Sequence, residues 1–331
     1  MNFKNISSFI KVDNKNWRQQ NPAASIHFTQ SELEAKSYKR NKFGIINDKN
    51  LINFRDKCPV CDSPKFYTTF VKWGFEYCSC YNCNSLFVKN ILKNEKLMEL
   101  YEKSVVDDAA YERTLNDTNI SYYSKIYKKY LDILSDLTKN NLETSLLDFG
   151  CGSGLFVKTL LNHPFHNFNV YASEYYHKSY DELNPILGNK FFFQKSLDEI
   201  KKDNYSFDIV TLWGVLEHVQ SPRSILAGLN NLINDQGYIL FCLPNPNSRA
   251  IKILGVNTPT LNPREHLQFF SKESLCQLMK EYGFELCVYG QELPVIDLMW
   301  EYLPQDFNAH DDIIKNDEGY YQIYIFQKSV S

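Results

Sequence analysis

From Ser145 onward the chain alternates apolar runs with amphipathic ones. SLLDF is apolar, GLFVKTLL helical, NVYAS apolar, HKSYDEL helical, KFFFQ and FDIVTLW apolar, SILAGLNNLI helical and GYILFCLP apolar again. Apolar runs too short for helices read as buried strands, and their alternation with segments of helical period predicts a parallel sheet covered by helices on both faces. Ser221 followed by Pro222 supplies an N-cap and first turn for one of those helices, and Gly237 marks a stop before the next strand. FELCVYG and YYQIYIFQ read as strands without a strong helix between them, and are expected to close the sheet as an antiparallel pair. Upstream, Ile126, Tyr130, Ile133, Leu134 and Leu137 recur at helical spacing. Residues 1–55 are polar, rich in Asn, Lys and Ser, with scattered Phe3, Trp17 and Phe28 and no sustained period. The expected division is an irregular arm with room for a short helix (1–55), a cysteine-bearing ribbon (56–90), a helical linker or cap (91–140) and an α/β domain (141–331).

A chain of 331 residues is long enough for one large domain with a small appendage. With 36 basic and 39 acidic residues the net charge is -3, so no global positive field gathers phosphate backbone, which argues against nucleic acid as the default partner. The first twenty residues show no basic-plus-apolar export signal, and no apolar run approaches the roughly 20 residues of a spanning helix. A soluble, cytoplasmic protein without a membrane partner is expected. Five of the nine cysteines crowd between Cys58 and Cys83, which in a long chain without an export signal favours metal over disulfides.

The most informative stretch runs from Leu146 through Asp148, Gly150, Cys151, Gly152, Ser153 and Gly154 to Phe156: a buried strand, a glycine-spaced turn, then a helix. Glycines there let the backbone pass close to a ligand, and the helix start offers free N–H groups to a carboxylate. An amino-acid-like, zwitterionic cofactor suits such a site. Twenty residues after Gly154, the strand NVYAS delivers Glu174, where a doubly wound fold places an acid to grip ribose hydroxyls. A nicotinamide-binding fingerprint is the nearest rival, but it reads G-x-G-x-x-G, whereas this loop reads G-x-G-x-G with Asp148 two residues before it.

The run D-F-G-C-G-S-G (148–154) resembles the first motif of class I S-adenosylmethionine-dependent methyltransferases, and the resemblance extends over about residues 120–331. FDIVTLW (207–213) followed by LEHV (216–219) is similar to the fourth-strand motif of that family and the helix after it. The resemblance implies a Rossmann-like fold whose parallel sheet carries an antiparallel last strand. It implies that Asp148 orients the methionine end of S-adenosylmethionine, that Gly150, Cys151, Gly152 and Gly154 pass along it, and that Glu174 takes the ribose. Ser196 and Leu197 would flank adenine and Trp213 would lie beside the cofactor, although Phe193-Gln194-Lys195-Ser196-Leu197 lacks the acid usual in the third-strand motif.

Methyl transfer needs a nucleophile in line with the methyl group, and a base where that nucleophile carries a proton. Two histidines qualify. His218 follows Glu217 just after the fourth strand, where it could equally pack the next helix. His266 follows Glu265 in NPREHLQFFS, on a crossover expected to arch over the cofactor, with loop packing against Phe269 and Phe270 as the plainer alternative. EHLQFFSKESL resembles the E-H-x-x-x-F-S segment of sugar C-methyltransferases of deoxysugar pathways, which implies substrate-side acid/base roles for Glu265 and His266. Those enzymes place a tyrosine three residues before the histidine, where this chain has Pro263. Methylation of a nucleobase amine would call for an Asn/Asp-Pro-Pro-aromatic motif after the fourth strand, but Thr211-Leu212-Trp213-Gly214 stands there and Asn245-Pro246 falls after the fifth.

Cys58 and Cys61 form one C-x-x-C pair and Cys80 and Cys83 another, with 18 residues between the pairs, a spacing that lets two knuckles converge on one tetrahedral, structural Zn2+. Cys78 is the alternative to Cys80. Phe66, Tyr67, Phe70, Trp73, Phe75 and Tyr77 lie between the pairs and would build a ribbon that depends on the metal. Sugar C-methyltransferases also carry an N-terminal four-cysteine zinc module, together with a further C-terminal domain for which this chain is expected to have no room after Ser331. Lys57, Lys65, Lys72 and Lys89 make only a thin basic stripe, offset by Asp56, Asp62 and Glu76, as on a solvated face. The expectation is methyl transfer to a small metabolite, a sugar or nucleotide sugar of surface polysaccharide. A zinc-ribbon RNA methyltransferase and a non-catalytic, cofactor-binding interaction protein are the alternatives. Nothing in the pattern speaks to oligomeric state.

Overall fold

The computed structural model describes residues 3–7, 51–97, 117–163, 168–292 and 308–330. Most of the expected irregular arm (8–50) and much of the expected linker (98–116) lie outside these. Within the arm, Lys4–Asn5 form strand β1 and Ile52–Phe54 form β2. The cysteine segment gives β3 (Phe66–Lys72), β4 (Phe75–Cys80) and β5 (Leu86–Val88). The linker then opens as a strand rather than a helix, β6 (Asn90–Leu92), because all three side chains are buried and pair with β2. Helix α1 (Asp117–Leu137) turns Ile126, Tyr130 and Leu134 into the core.

The alternating region runs β7 (Thr144–Phe149), α2 (Leu155–Leu161), β8 (Phe168–Glu174), α3 (His177–Leu187), β9 (Phe191–Phe193), α4 (Leu197–Lys202), β10 (Phe207–Trp213), α5 (Pro222–Asn230) and β11 (Ile233–Pro244). It continues through α6 (Arg249–Leu254), β12 (Gln268–Phe269), α7 (Lys272–Glu281), β13 (Phe284–Glu292), α8 (Asn308–Lys315) and β14 (Tyr321–Lys328). Strand β11 begins four residues before Gly237, after a helix that ends at Asn230, since Leu232 and Ile233 are drawn into the core. The kink at Gly237 falls inside the strand, where a Cβ would come within 2.8 Å of the Asn234 carbonyl oxygen.

Eight strands make one sheet in the order β1-β13-β14-β11-β10-β7-β8-β9, all parallel to their neighbours except β14, which is antiparallel to both β11 and β13. Central strands β7 and β10 are buried on both faces, which is why they read as continuous apolar runs. This Rossmann-like α/β arrangement agrees with the expected parallel sheet closed by an antiparallel strand. The carboxyl ends of β7, β8 and β10 open onto one edge, where such folds bind ligands.

The second sheet is antiparallel, in the order β12-β5-β4-β3. Its outer strand β12 comes from the crossover after β11, so the cysteine ribbon and the α/β body share a sheet. Gln268 pairs with Phe87 and Phe269 with Leu86, and Phe269 is packed among Tyr77, Phe75 and Leu267 in a core common to both parts.

Candidate active site

Strand β7 ends at Phe149 because the chain must then turn sharply under the start of α2. Gly150 and Gly154 both hold φ near +71°, in the left-handed region where a side chain is strained. A Cβ on Gly154 would also lie 2.5 Å from Leu183 Cδ2 on α3. Gly154→Ala is therefore expected to cost roughly 2–4 kcal/mol of stability, from left-handed strain plus overpacking, read as a lower denaturation midpoint in urea.

Glu174 closes the loop from the next strand. One carboxylate oxygen accepts from Gly152 N–H at 2.7 Å, and the other accepts from the N–H groups of Tyr175 (2.7 Å) and Tyr176 (3.1 Å). Asp148 stands beneath, 1% exposed, accepting from the Thr211 hydroxyl at 2.8 Å. Burial pushes its carboxyl up to about 7, against the lowering effect of the Thr211 bond, with the Glu174 charge adding to the rise. A buried acid whose charged form is disfavoured by burial suits a ligand that brings its own positive charge.

Asp148, Gly150, Cys151, Gly152, Glu174 and Trp213 all line one cleft of about 930 Å³. Trp213 is packed by Tyr127 of α1 at 4.8 Å and Phe156 of α2 at 5.2 Å between ring centroids. Gly154 lies behind the lining, against Leu183. Ser196 and Leu197 are elsewhere than expected. Ser196 is spent on a capping box with Glu199 at the start of α4, and Leu197 packs where Gly228 of α5 leaves room, so neither lines the cleft. Tyr175, Tyr176 and Ile225 form the described wall near that end.

On the other side the two histidines meet. Their rings lie 4.7 Å apart, edge to face. His218 lines the cleft, whereas His266 sits behind it and donates from Nδ1 to the Thr260 carbonyl at 2.7 Å, leaving Nε2 as the basic nitrogen. Burial lowers the His266 imidazole to about 4 and holds His218 well below its usual range. Glu217 is 1% exposed, and burial raises it to about 8; Glu265 is partly exposed, 3.7 Å from Arg264 Nη2, and is also raised by burial. At neutral pH the imidazoles are thus uncharged, the form that accepts a proton or a metal.

The four cysteines converge. Cys58 Sγ lies 3.6 Å from Cys83 Sγ and Cys61 Sγ 3.5 Å from Cys80 Sγ, and all four sulfurs fall within 4.8 Å of one another. A tetrahedron of Zn–S bonds of about 2.3 Å would separate its sulfurs by about 3.8 Å, so this donor set fits zinc. Cys78 points away, 3.8 Å from the Thr68 hydroxyl. No disulfide joins any of the nine cysteines.

Residues 122–288, half of the chain, match the family described as a methyltransferase domain. The chain belongs to that family. Curated proteins similar to this methyltransferase include the ubiquinone biosynthesis O-methyltransferases of Coxiella burnetii, 26% identical over 180 residues (52% of this chain, 74% of the relative), and of Rickettsia bellii, 22% identical over 185 residues (52% and 71%). Among solved structures, the magnesium protoporphyrin IX methyltransferase of Synechocystis PCC 6803 with bound S-adenosylhomocysteine is 14% identical, covering 72% of this chain and 100% of that one with a TM-score of 0.47. This chain is an S-adenosylmethionine-dependent methyltransferase, and among its described residues no helix is long and apolar enough to cross a membrane.

Several parts of the methyltransferase site carry no sequence signal of their own. Tyr127 looks like one more core position of α1, yet it forms part of the cleft wall. Asn94 and Leu97, just past the cysteine ribbon, line the same cleft. Arg55, three residues before Cys58, donates to the carbonyls of Val88 (3.1 Å), Leu267 (3.0 Å) and Gln220 (2.8 Å) and to Gln268 Oε1 (3.0 Å). It thereby joins the ribbon to both segments that carry the histidines, and burial lowers its guanidinium to about 10.

Proposed function

We propose that this methyltransferase methylates a small polar metabolite, a sugar or nucleotide sugar of surface-polysaccharide biosynthesis, held between the glycine loop and the cysteine ribbon. The observation that carries this reading is the shared strand: β12 starts two residues after His266 and is hydrogen-bonded into the ribbon sheet, while Asn94 and Leu97 extend the ribbon into the cleft. A ribbon serving only stability or nucleic-acid contact has no need to frame the acceptor side.

In this reading S-adenosylmethionine supplies the methyl group as an electrophile on its sulfonium. Asp148 would hold the ammonium of the methionine end and Glu174 the ribose hydroxyls, with the backbone of residues 150–153 and Trp213 lining the cleft beside the cofactor. Cys58, Cys61, Cys80 and Cys83 hold a structural Zn2+. Glu265 and His266, with His218 nearest the cleft, form the acid/base set for the acceptor. An aromatic acceptor is the second reading, favoured by the Tyr127, Tyr175, Tyr176 and Trp213 walls and by relatives named for ubiquinone biosynthesis.

The test starts with calorimetric titration of zinc-replete protein with S-adenosylmethionine, followed by mass spectrometry of nucleotide sugars and catechols incubated with both. A product heavier by one methyl group from a nucleotide sugar supports the first reading; one formed only from catechols replaces it with the second. Glu265→Gln combined with His266→Asn is expected to lower turnover about 10²–10⁴-fold with little change in cofactor affinity. Unchanged turnover removes both residues from the chemistry.

A further inference from the structure

The acceptor side holds a second group of metal donors, of a different kind from the four thiols. One ligand atom each from Glu217, His218 and His266 lie within 4.8 Å of one another. They surround a space rather than bonding across it: Glu217 Oε1 is 3.9 Å from His218 Nε2, too long for a hydrogen bond, and the two imidazoles meet edge to face.

Two further features point to a ligand in that space. Glu217 is 1% exposed, and its Oε2 has no hydrogen-bond partner, a costly state for a buried carboxyl oxygen. His266 is oriented as metal-bound histidines are, with Nδ1–H donated to a backbone carbonyl, that of Thr260, so that the Nε2 lone pair is fixed and available. The crossover thus holds the His266 imidazole, against which the His218 ring packs edge to face.

We propose that Glu217, His218 and His266 bind a divalent transition-metal cation, of the Mn2+ or Fe2+ type, whose remaining positions take oxygens of the acceptor. Two imidazoles and one carboxylate form a nitrogen/oxygen set that suits these ions and leaves coordination positions open, unlike the closed thiolate site. His218 lines the cleft, so those positions face the space the acceptor occupies. A cation there favours an acceptor that presents two oxygens together, as a vicinal diol, a diphosphate or a catechol does. The inference rests on the acceptor-side reading above; with the ion in place the imidazoles are its ligands, and Glu265 keeps the acid/base task.

Mn2+ is the probe, because thiolates already filled with zinc do not compete for it. Titrated into zinc-replete protein and followed by electron paramagnetic resonance, it is expected to bind once per chain, with imidazole-nitrogen coupling in the pulsed spectrum. Glu217→Gln and His266→Asn are each expected to weaken it at least about tenfold, while S-adenosylmethionine titration confirms that each variant is folded. No bound Mn2+ at millimolar concentration, bound Mn2+ without nitrogen coupling, or binding indifferent to both variants overturns the proposal. Cofactor binding is read separately, so a failure here is distinct from a failure of the methyltransferase reading.

Discussion

Asp148→Asn is expected to lower S-adenosylmethionine affinity about a hundredfold and to abolish its dependence on pH. The amide would keep the shape of the side chain and the bond from the Thr211 hydroxyl, so the loss reads out the charge alone. Removing one partner of a buried ion pair costs about 3 kcal/mol, or roughly two orders of magnitude in affinity. The wild-type pH dependence has a definite sign. Burial holds the Asp148 carboxyl at about 7, so near neutrality about half of the unliganded protein carries it protonated. Pairing with the cofactor's ammonium needs the ionised form. Affinity is therefore greatest between about pH 7 and 8, where the acid is ionised and the amine still protonated, and falls by up to about tenfold per unit on the acid side, with up to one proton released on binding there. Calorimetry in buffers of different ionisation enthalpy counts that proton, and a wild-type affinity flat from about pH 8 to pH 5.5 would show that Asp148 does not face the cofactor's charge.

Loss of the ribbon metal is expected to separate the two halves of the site. On the zinc reading, Cys58→Ser or chelation releases the knuckles, and a ribbon whose folding free energy comes from the metal, of order 10 kcal/mol, loses its sheet. Strand β5 is then gone as the partner of β12, and the crossover that carries Glu265 and His266 is no longer fixed. Turnover should fall at least about a hundredfold, whereas S-adenosylmethionine affinity should change less than about threefold, because the glycine loop, Asp148 and Glu174 belong to the other sheet. Arg55→Met is the milder form of the same experiment. It removes four hydrogen bonds, to Val88, Leu267, Gln220 and Gln268, about 2–4 kcal/mol in total, without touching a sulfur. It should raise the acceptor KM, lower kcat and keep the metal content at one zinc per chain. If both variants left turnover unaltered, the ribbon would have no part in the acceptor side.

The glycine-loop side of the cleft is legible in the sequence because its residues are local. Asp148, the three glycines and the first residue of the helix they open lie within eight residues, and Glu174 ends the very next strand, so strand order alone brings them together. The cysteine pairs are legible for the same reason. Ser196 and Leu197 illustrate the limit of that logic: position in the chain put them near the cleft, but a capping box and a helix contact claim their side chains. The opposite wall of the cleft is built from long-range contacts. Arg55 reaches Gln220 and Leu267 across 165 and 212 residues, and no periodicity or motif distinguishes it from the other basic residues of the arm. Strand β6 was hidden likewise, since Asn90, Ile91 and Leu92 take their form from pairing with β2 and not from any local signal.

The sharing of β12 between the crossover and the ribbon sheet ties two binding equilibria together. If metal on the thiolates raises acceptor affinity by some factor, then acceptor in the cleft must raise the affinity of the thiolates for metal by the same factor. Saturating acceptor should therefore raise the chelator concentration at which half of the zinc is removed at equilibrium, and S-adenosylmethionine alone should not. A fall in zinc supply would then act as competition against the acceptor, leaving the enzyme charged with methyl donor and short of a place to send it.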